Sequence, residues 1–241
     1  MNVIISIGIL VVVLGFIVGV HEAGHYWAMR CADITVKEIG LGLPSRIAKW
    51  EYRGVILSVN LIPLGAFVIP ERDRDKAGCL FNKTTKQQAL VYLAGPLVNL
   101  ILGIGLLMLV NPTATLRIPY MIAQMIHGGK FGTEGLVGLV GAGQFIMELT
   151  SFLGGISLRV FIAILGAFSL GIGIVNLLPI MPLDGGRLAI CLIEGIRGKL
   201  LSEGAVKRVT MAGMTLLLSV MLWVAYNDIA RLITGETFEL P

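Results

Sequence analysis

Two of the chain's three histidines stand four residues apart, in His21-Glu22-Ala23-Gly24-His25. On an α-helix that spacing puts both imidazoles on one face, where they can grip a single metal ion. Glu22 lies beside them, where a general base must be to take a proton from a metal-bound water. The motif closes an apolar run that begins at Asn2. Ionisable side chains are rare inside a membrane, and those that occur there mark functional sites. The plainer reading is a pair of histidines capping or packing at a helix end. The concentration of two histidines out of three in one motif argues against it.

A catalytic zinc takes three protein ligands and keeps a position open for water. The third ligand must come from elsewhere in the chain, and two residues are candidates. His127 falls in the segment between the second and third apolar stretches, on the opposite side of the membrane from His21 and His25. Asp184 follows the third stretch directly, in Asn176-Leu177-Leu178-Pro179-Ile180-Met181-Pro182-Leu183-Asp184-Gly185-Gly186-Arg187. It therefore returns to the side and depth of the histidines, which favours it. The prolines and glycines interrupt the helix there, and broken helix at membrane depth is tolerated only where it is buried or lines a wet cavity. Asp-Gly is also ordinary turn chemistry, so a helix cap is the competing role for Asp184.

The elements that must position these residues are set by composition. The chain is 56% hydrophobic and 14% charged, with a mean hydropathy of +0.86, whereas a soluble domain carries roughly 25% charged residues. Asn2–Val20, Gln87–Val110, Val160–Leu183 and Val209–Asn227 each lack Asp, Glu, Lys and Arg and approach the ~20 residues a span needs. The first has no basic residue ahead of it and no clear small-residue cleavage site, so it reads as a span and not as a cleaved leader. The fold class is thus an α-helical polytopic membrane protein with about four transmembrane helices.

The net charge of +4 follows topology and gives no sign of nucleic-acid binding. Ten Lys or Arg lie between Arg30 and Lys86 and five between Arg187 and Arg208, against three from Asn111 to Arg159. Basic loops stay in the cytoplasm, which places both termini outside. Cys31, Cys79 and Cys191 then fall on the reducing side and match no metal or redox spacing. The first helix is expected to run past the motif to about Arg30. Thr35–Pro70 reads as strands, with a turn over Glu51–Gly54, giving a small membrane-associated β-region on the cytoplasmic side. The mixed-charge run Glu71–Lys76 reads as a solvated loop. Short helices are expected at Tyr120–His127 and Leu136–Thr150.

With these motifs in order, the chain resembles the site-2 protease family of zinc intramembrane metalloproteases, and most of all its bacterial regulator-of-sigma-E protease branch. His21–His25 matches the family's His-Glu-x-x-His. Ala94-Gly95-Pro96-Leu97-Val98-Asn99 matches its Gly-Pro-x-x-Asn segment, and Asn176 to Gly185 its Asn-Pro-Asp-Gly segment. Tyr226-Asn227-Asp228-Ile229-Ala230-Arg231-Leu232 is similar to the tail of that branch. The resemblance implies a zinc ion held by His21, His25 and Asp184, with Glu22 as base and then proton donor. It further implies that the sheet after the first helix approaches the substrate, where an edge strand can pair with an unwound segment. Asn176 and, as a weaker candidate, Asn99 would bind the extended substrate or its oxyanion. Interhelical polar packing is the alternative for both.

Two departures accompany the resemblance. Met181 stands where the family's motif has its second proline, with Pro182 one residue later. The interval 111–157 is too short for the PDZ domain the branch carries there, about 80–100 residues with linkers. A single domain over 1–241 is expected: first span 1–30, β-region and loop 31–86, second span 87–110, outer linker without PDZ 111–157, third span 158–187, then cytoplasmic loop, fourth span and tail 188–241. The expected activity is zinc-dependent endopeptidase action on membrane-tethered substrates, of the anti-sigma-factor or remnant-signal-peptide class, in a bacterial inner membrane. An accessory protein could replace the missing domain. The rival is a non-proteolytic metal-binding membrane regulator or scaffold, which would have no need of Glu22 as a base.

Overall fold

The computed structural model of the chain describes residues 3–113, 115–117 and 158–234. The expected short helices at Tyr120–His127 and Leu136–Thr150, and His127 with them, lie outside the described residues. The chain runs through α1 (Val3–Cys31), β1 (Val36–Tyr52), β2 (Val55–Pro70), a 3-10 turn (Leu80–Asn82), α2 (Thr85–Val110), α3 (Leu158–Asn176), α4 (Asp184–Arg197) and α5 (Glu203–Thr234). Leu10–Cys31, Thr85–Val110, Leu158–Asn176 and Glu203–Ala230 are long and apolar enough to cross a membrane. Their outward faces keep large apolar side chains uncovered, among them Ile101, Leu109, Leu158 and Leu222, each at least 70% exposed. Water penalises such a surface, whereas lipid tails cover it.

Local chemistry sets the helix ends. Thr84 and Gln87 form a reciprocal capping box that starts α2, satisfying backbone N–H groups that have no helical partner. The apolar stretch ending at Leu183 predicts a third span up to that residue, but α3 stops at Asn176. Pro179 and Pro182 lack the N–H and the conformational freedom to continue a helix. Residues 177–183 instead make tight turns, with Leu177 N–H on the Ile174 carbonyl at 3.1 Å and Ile180 N–H on that of Leu178 at 2.7 Å. A new amphipathic helix, α4, then occupies ground expected as loop and ends at Gly198 in the left-handed conformation.

β1 and β2 form an antiparallel hairpin closed by Arg53 (φ 52°) and Gly54 (φ 77°), the pair of positive-φ residues that a tight type I′ turn requires. The strands bend, so that Glu38–Leu41 faces Ile69–Ala66 on one side and Ile56–Val59 on the other. Phe67–Pro70 is therefore left along an edge of the sheet. Glu71, just beyond it, is buried and not part of a solvated loop. Its carboxylate pairs with Lys37 at 2.7 Å and accepts the backbone N–H groups of Arg72 and Asp73, both at 2.9 Å. The Lys37 hydrogen bond, then the backbone donors, hold its pKa near 2 instead of 4.5.

Two apolar clusters hold the helices in register. Leu10, Val13 and Ile17 of α1 pack on Val160 and Ile164 of α3. Met29, Ile34, Val36, Leu80, Val91, Tyr92 and Cys191 join the end of α1 to the sheet, α2 and α4. All three cysteines are free thiols.

Candidate active site

α1 carries His21 and His25 one turn apart, and both are 6% exposed. They face α2 at a crossing that only glycine permits. A Cβ on Gly24 would sit 2.8 Å from the Ala94 carbonyl oxygen. A Cβ on Gly95 would sit 2.8 Å from His21 Nε2 and run into His25 Nε2. The missing side chains let the α2 backbone lie directly against both imidazoles.

Asp184 reaches the same point from the start of α4. It is not the cap: Leu183 holds that position, and no side chain caps the helix. The Asp184 carboxylate turns instead to the histidines, with Oδ2 at 2.9 Å from His21 Nε2 and 3.1 Å from His25 Nε2. The two Nε2 atoms are 3.1 Å apart. Burial would push the Asp184 carboxyl up, but the contacts with His21 and His25 outweigh it and hold it well below the usual carboxylate range. Asp184 is thus an anion, the form that ligates a metal.

This donor set fits a divalent cation. Three lone-pair donors so close repel unless a proton or cation lies between them. Ligands roughly 2.0–2.1 Å from a tetrahedral zinc-sized ion stand about 3.3 Å from one another, close to the spacing here. His25 Nδ1–H donates to the Val91 carbonyl at 2.7 Å, which leaves its Nε2 lone pair directed at the meeting point. Among the described residues, His21, His25 and Asp184 are the one group arranged to hold a metal.

A cavity of about 1280 Å³ opens onto these atoms. Glu22 lines it beside the histidines. The sheet edge Phe67–Pro70 forms one wall, and Asn176 and Met181 line another part. Arg72, Arg74, Arg187 and Lys207 bring positive charge to the same space, and Asp73, Glu194 and Glu203 negative. The basic loops before α2 and after α3 thus meet at one end of the helices. Asn176 lines the cavity while its Nδ2 donates to its own helix, at the Ile172 carbonyl, 3.0 Å away. Asn99 lies apart from the cavity wall, fully buried, with Nδ2 3.2 Å from His21 Nδ1.

The structure therefore brings His21, His25, Glu22 and Asp184 to one place and sets Asn176 near them. Gly24, Gly95 and the Val91 carbonyl were not foreseen as parts of the site. The small residues inside both motifs, Ala23-Gly24 and Ala94-Gly95, are the signal that two helix backbones must approach closely.

Paired histidines on one apolar helix, a carboxylate from another and a glutamate on the shared cavity define a metallopeptidase-type centre among helices long and apolar enough to cross a membrane. The sequence profile of peptidase family M50 matches residues 9–220, and the chain belongs to that family. It is 36% identical over 108 residues to the zinc metalloprotease RasP of Shouchella clausii, covering 45% of this chain and 25% of that protein. It is 41% identical over 104 residues to the regulator of sigma-W protease RasP of Bacillus subtilis, covering 43% and 24%. It is 32% identical over 109 residues to the regulator of sigma E protease of Haemophilus influenzae, covering 41% and 24%. The matched part of the chain thus spans about a quarter of these relatives' length.

Proposed function

We propose that the chain is a zinc-dependent intramembrane endopeptidase that cuts membrane-tethered proteins in or near their transmembrane segments. The observation that carries this reading is the convergence of Asp184 with His21 and His25, 163 and 159 residues away in sequence, beside the cavity-lining carboxylate of Glu22. Family M50 membership and the zinc metalloprotease relatives support it.

His21, His25 and Asp184 hold the ion. Bound there, zinc supplies Lewis acidity toward the scissile carbonyl and lowers the pKa of water towards ~7. Glu22 accepts the proton of the attacking water and returns it to the leaving amine. The substrate must be locally extended, because a helix hides its own peptide bonds. The Phe67–Pro70 edge, on the cavity wall next to Glu22, offers backbone groups that could pair with such a segment. Asn176, on the same cavity, is placed to hydrogen-bond the extended backbone.

The relatives named as sigma-factor regulators favour tethered regulatory proteins, such as anti-sigma factors, as substrates, with remnant signal peptides as the second class. The cavity end with the basic loops faces the cytoplasm, and both termini lie outside.

The test compares the native chain with Glu22→Gln on tagged single-span substrates in bilayers, with zinc measured in both. The expected result is equal zinc and a rate at least about 10²-fold lower in the variant. A zinc-loaded variant that cuts as fast as the native chain removes Glu22 as the base. It would return the non-proteolytic metal-binding reading to consideration only if the cleavage itself proved to be a contaminant.

A further inference from the structure

We propose that Asn99 is a positioning residue for His21: its side-chain oxygen accepts the His21 Nδ1–H and so fixes the tautomer and ring plane that present Nε2 to the metal. The proposal rests on the metal-site reading above. Asn99 is fully buried, near the middle of α2. It lies four residues after Gly95, so it shares the helix face that abuts both imidazoles. Its backbone carbonyl accepts the Ser169 hydroxyl of α3 at 2.9 Å, which anchors this turn of α2 between its neighbours.

Two observations concern the amide itself. Its Nδ2 stands 3.2 Å from His21 Nδ1. Its Oδ1 is buried without a hydrogen-bond partner, a costly state for a carbonyl oxygen in apolar surroundings. In that orientation the amide N–H donates to Nδ1, which leaves the imidazole proton on Nε2, where a metal must bind. A neutral imidazole has one N–H. If Nε2 ligates, Nδ1 carries the proton and needs an acceptor.

Turning the amide about its terminal bond brings Oδ1 to that acceptor position. The nitrogen and oxygen of an amide are nearly alike in shape, and the hydrogen-bond network decides which is which. The partner ligand is served in the same way, since His25 Nδ1–H donates to the Val91 carbonyl at 2.7 Å. α2 thus supplies one oxygen behind each histidine: a backbone carbonyl for His25 and the Asn99 side chain for His21. Such acceptors orient metal-bound imidazoles and raise their basicity.

The test measures zinc affinity of the full chain by chelator competition, with cobalt(II) absorption as a signature of ligand geometry. Native protein, Asn99→Leu, Asn99→Asp and a His25→Ala control are compared. Asn99→Leu keeps the branching at Cγ and removes the acceptor, so zinc binding is expected to weaken about 10- to 100-fold. Asn99→Asp accepts but cannot donate, so it is expected to keep near-native affinity and the native cobalt bands. Loss of affinity in Asn99→Asp matching that in Asn99→Leu would show that the amide is needed as a donor or for shape, and would overturn the proposal. Native affinity in both variants would overturn it too, leaving Asn99 as interhelical packing. If the leucine variant fails to fold, Asn99→Ala, which also removes the acceptor, takes its place in the comparison. Folded native protein that binds zinc no better than His25→Ala refutes the metal site itself, a failure seen without any Asn99 variant.

Discussion

At the residue scale the site depends on what is missing as much as on what is present. His21 and His25 can meet Asp184 only because Gly95 lets the α2 backbone lie against their ring edges. Gly95→Ala adds one methyl group where the Nε2 atoms already stand. The helix backbone cannot yield cheaply, so the imidazoles must move off the metal. Zinc affinity is expected to fall at least about tenfold, as it does when groups orienting a ligand are lost. Gly105→Ala, in the same helix with nothing near its Cβ, serves as the control. It should bind zinc normally and be more stable by roughly 0.5–1 kcal/mol, the helix preference of Ala over Gly. Equal zinc binding in the two variants would show that the crossing has slack and that Gly95 is not needed for the site.

At the element scale the sheet must be held in place before it can form a wall of the site. Glu71 does much of this. Its backbone N–H donates to the Thr35 carbonyl at 2.7 Å, its own carbonyl accepts Leu80 N–H at 3.0 Å, and its carboxylate grips Lys37. A carboxylate whose folded pKa is depressed contributes stability in full above its ordinary value, here 4.5, and loses it as pH falls through about 2. Hydrogen exchange at the Glu71 and Leu80 amides should therefore speed up, relative to the intrinsic rate, as pH drops from 4.5 to 2. Glu71→Gln should show faster exchange already at neutral pH and little further change with acid. An unchanged protection pattern in Glu71→Gln would assign the anchoring to the backbone bonds alone.

At the scale of the whole molecule, four helices carry uncovered apolar faces while the charged loops gather at one end. Arg72 and Arg74 before α2 and Lys207 in α5 line the same cavity, so the two basic loops share a side whatever the orientation. The proposed topology, from the positive-inside rule, puts that side in the cytoplasm. In a chain with its native cysteines replaced, a single cysteine at Lys76 or at Lys199, both exposed, is expected to react with an impermeant maleimide from the cytoplasmic face only. Labelling of both from the outer face would invert the proposed topology, and labelling from opposite faces would contradict the shared cavity.

Much of this protein could be read from its residues in order. Four uncharged apolar runs specify four long helices, because a bilayer requires that length and satisfies no stray backbone group. The spacing of His21 and His25 specifies a shared helix face, since helical periodicity is local. The β-rich stretch after α1 and its turn over Glu51–Gly54 form a hairpin, and α1 extends past the metal motif as expected. What remained hidden depends on distant parts of the chain meeting. The interruption at Pro179 and Pro182 is legible, but that α3 stops already at Asn176 and that a separate helix, α4, starts at Asp184 is masked by the apolar run that continues to Leu183. The burial of Glu71 required Lys37 from the other strand. Asp184 is expected beside the histidines from the depth of its motif, but that Asn99 stands behind His21 is a fact about helix crossings, set by glycines whose partners lie far away in sequence. Periodicity and hydropathy act over a few residues and are written locally, whereas close approach between backbones is decided only when the helices pack.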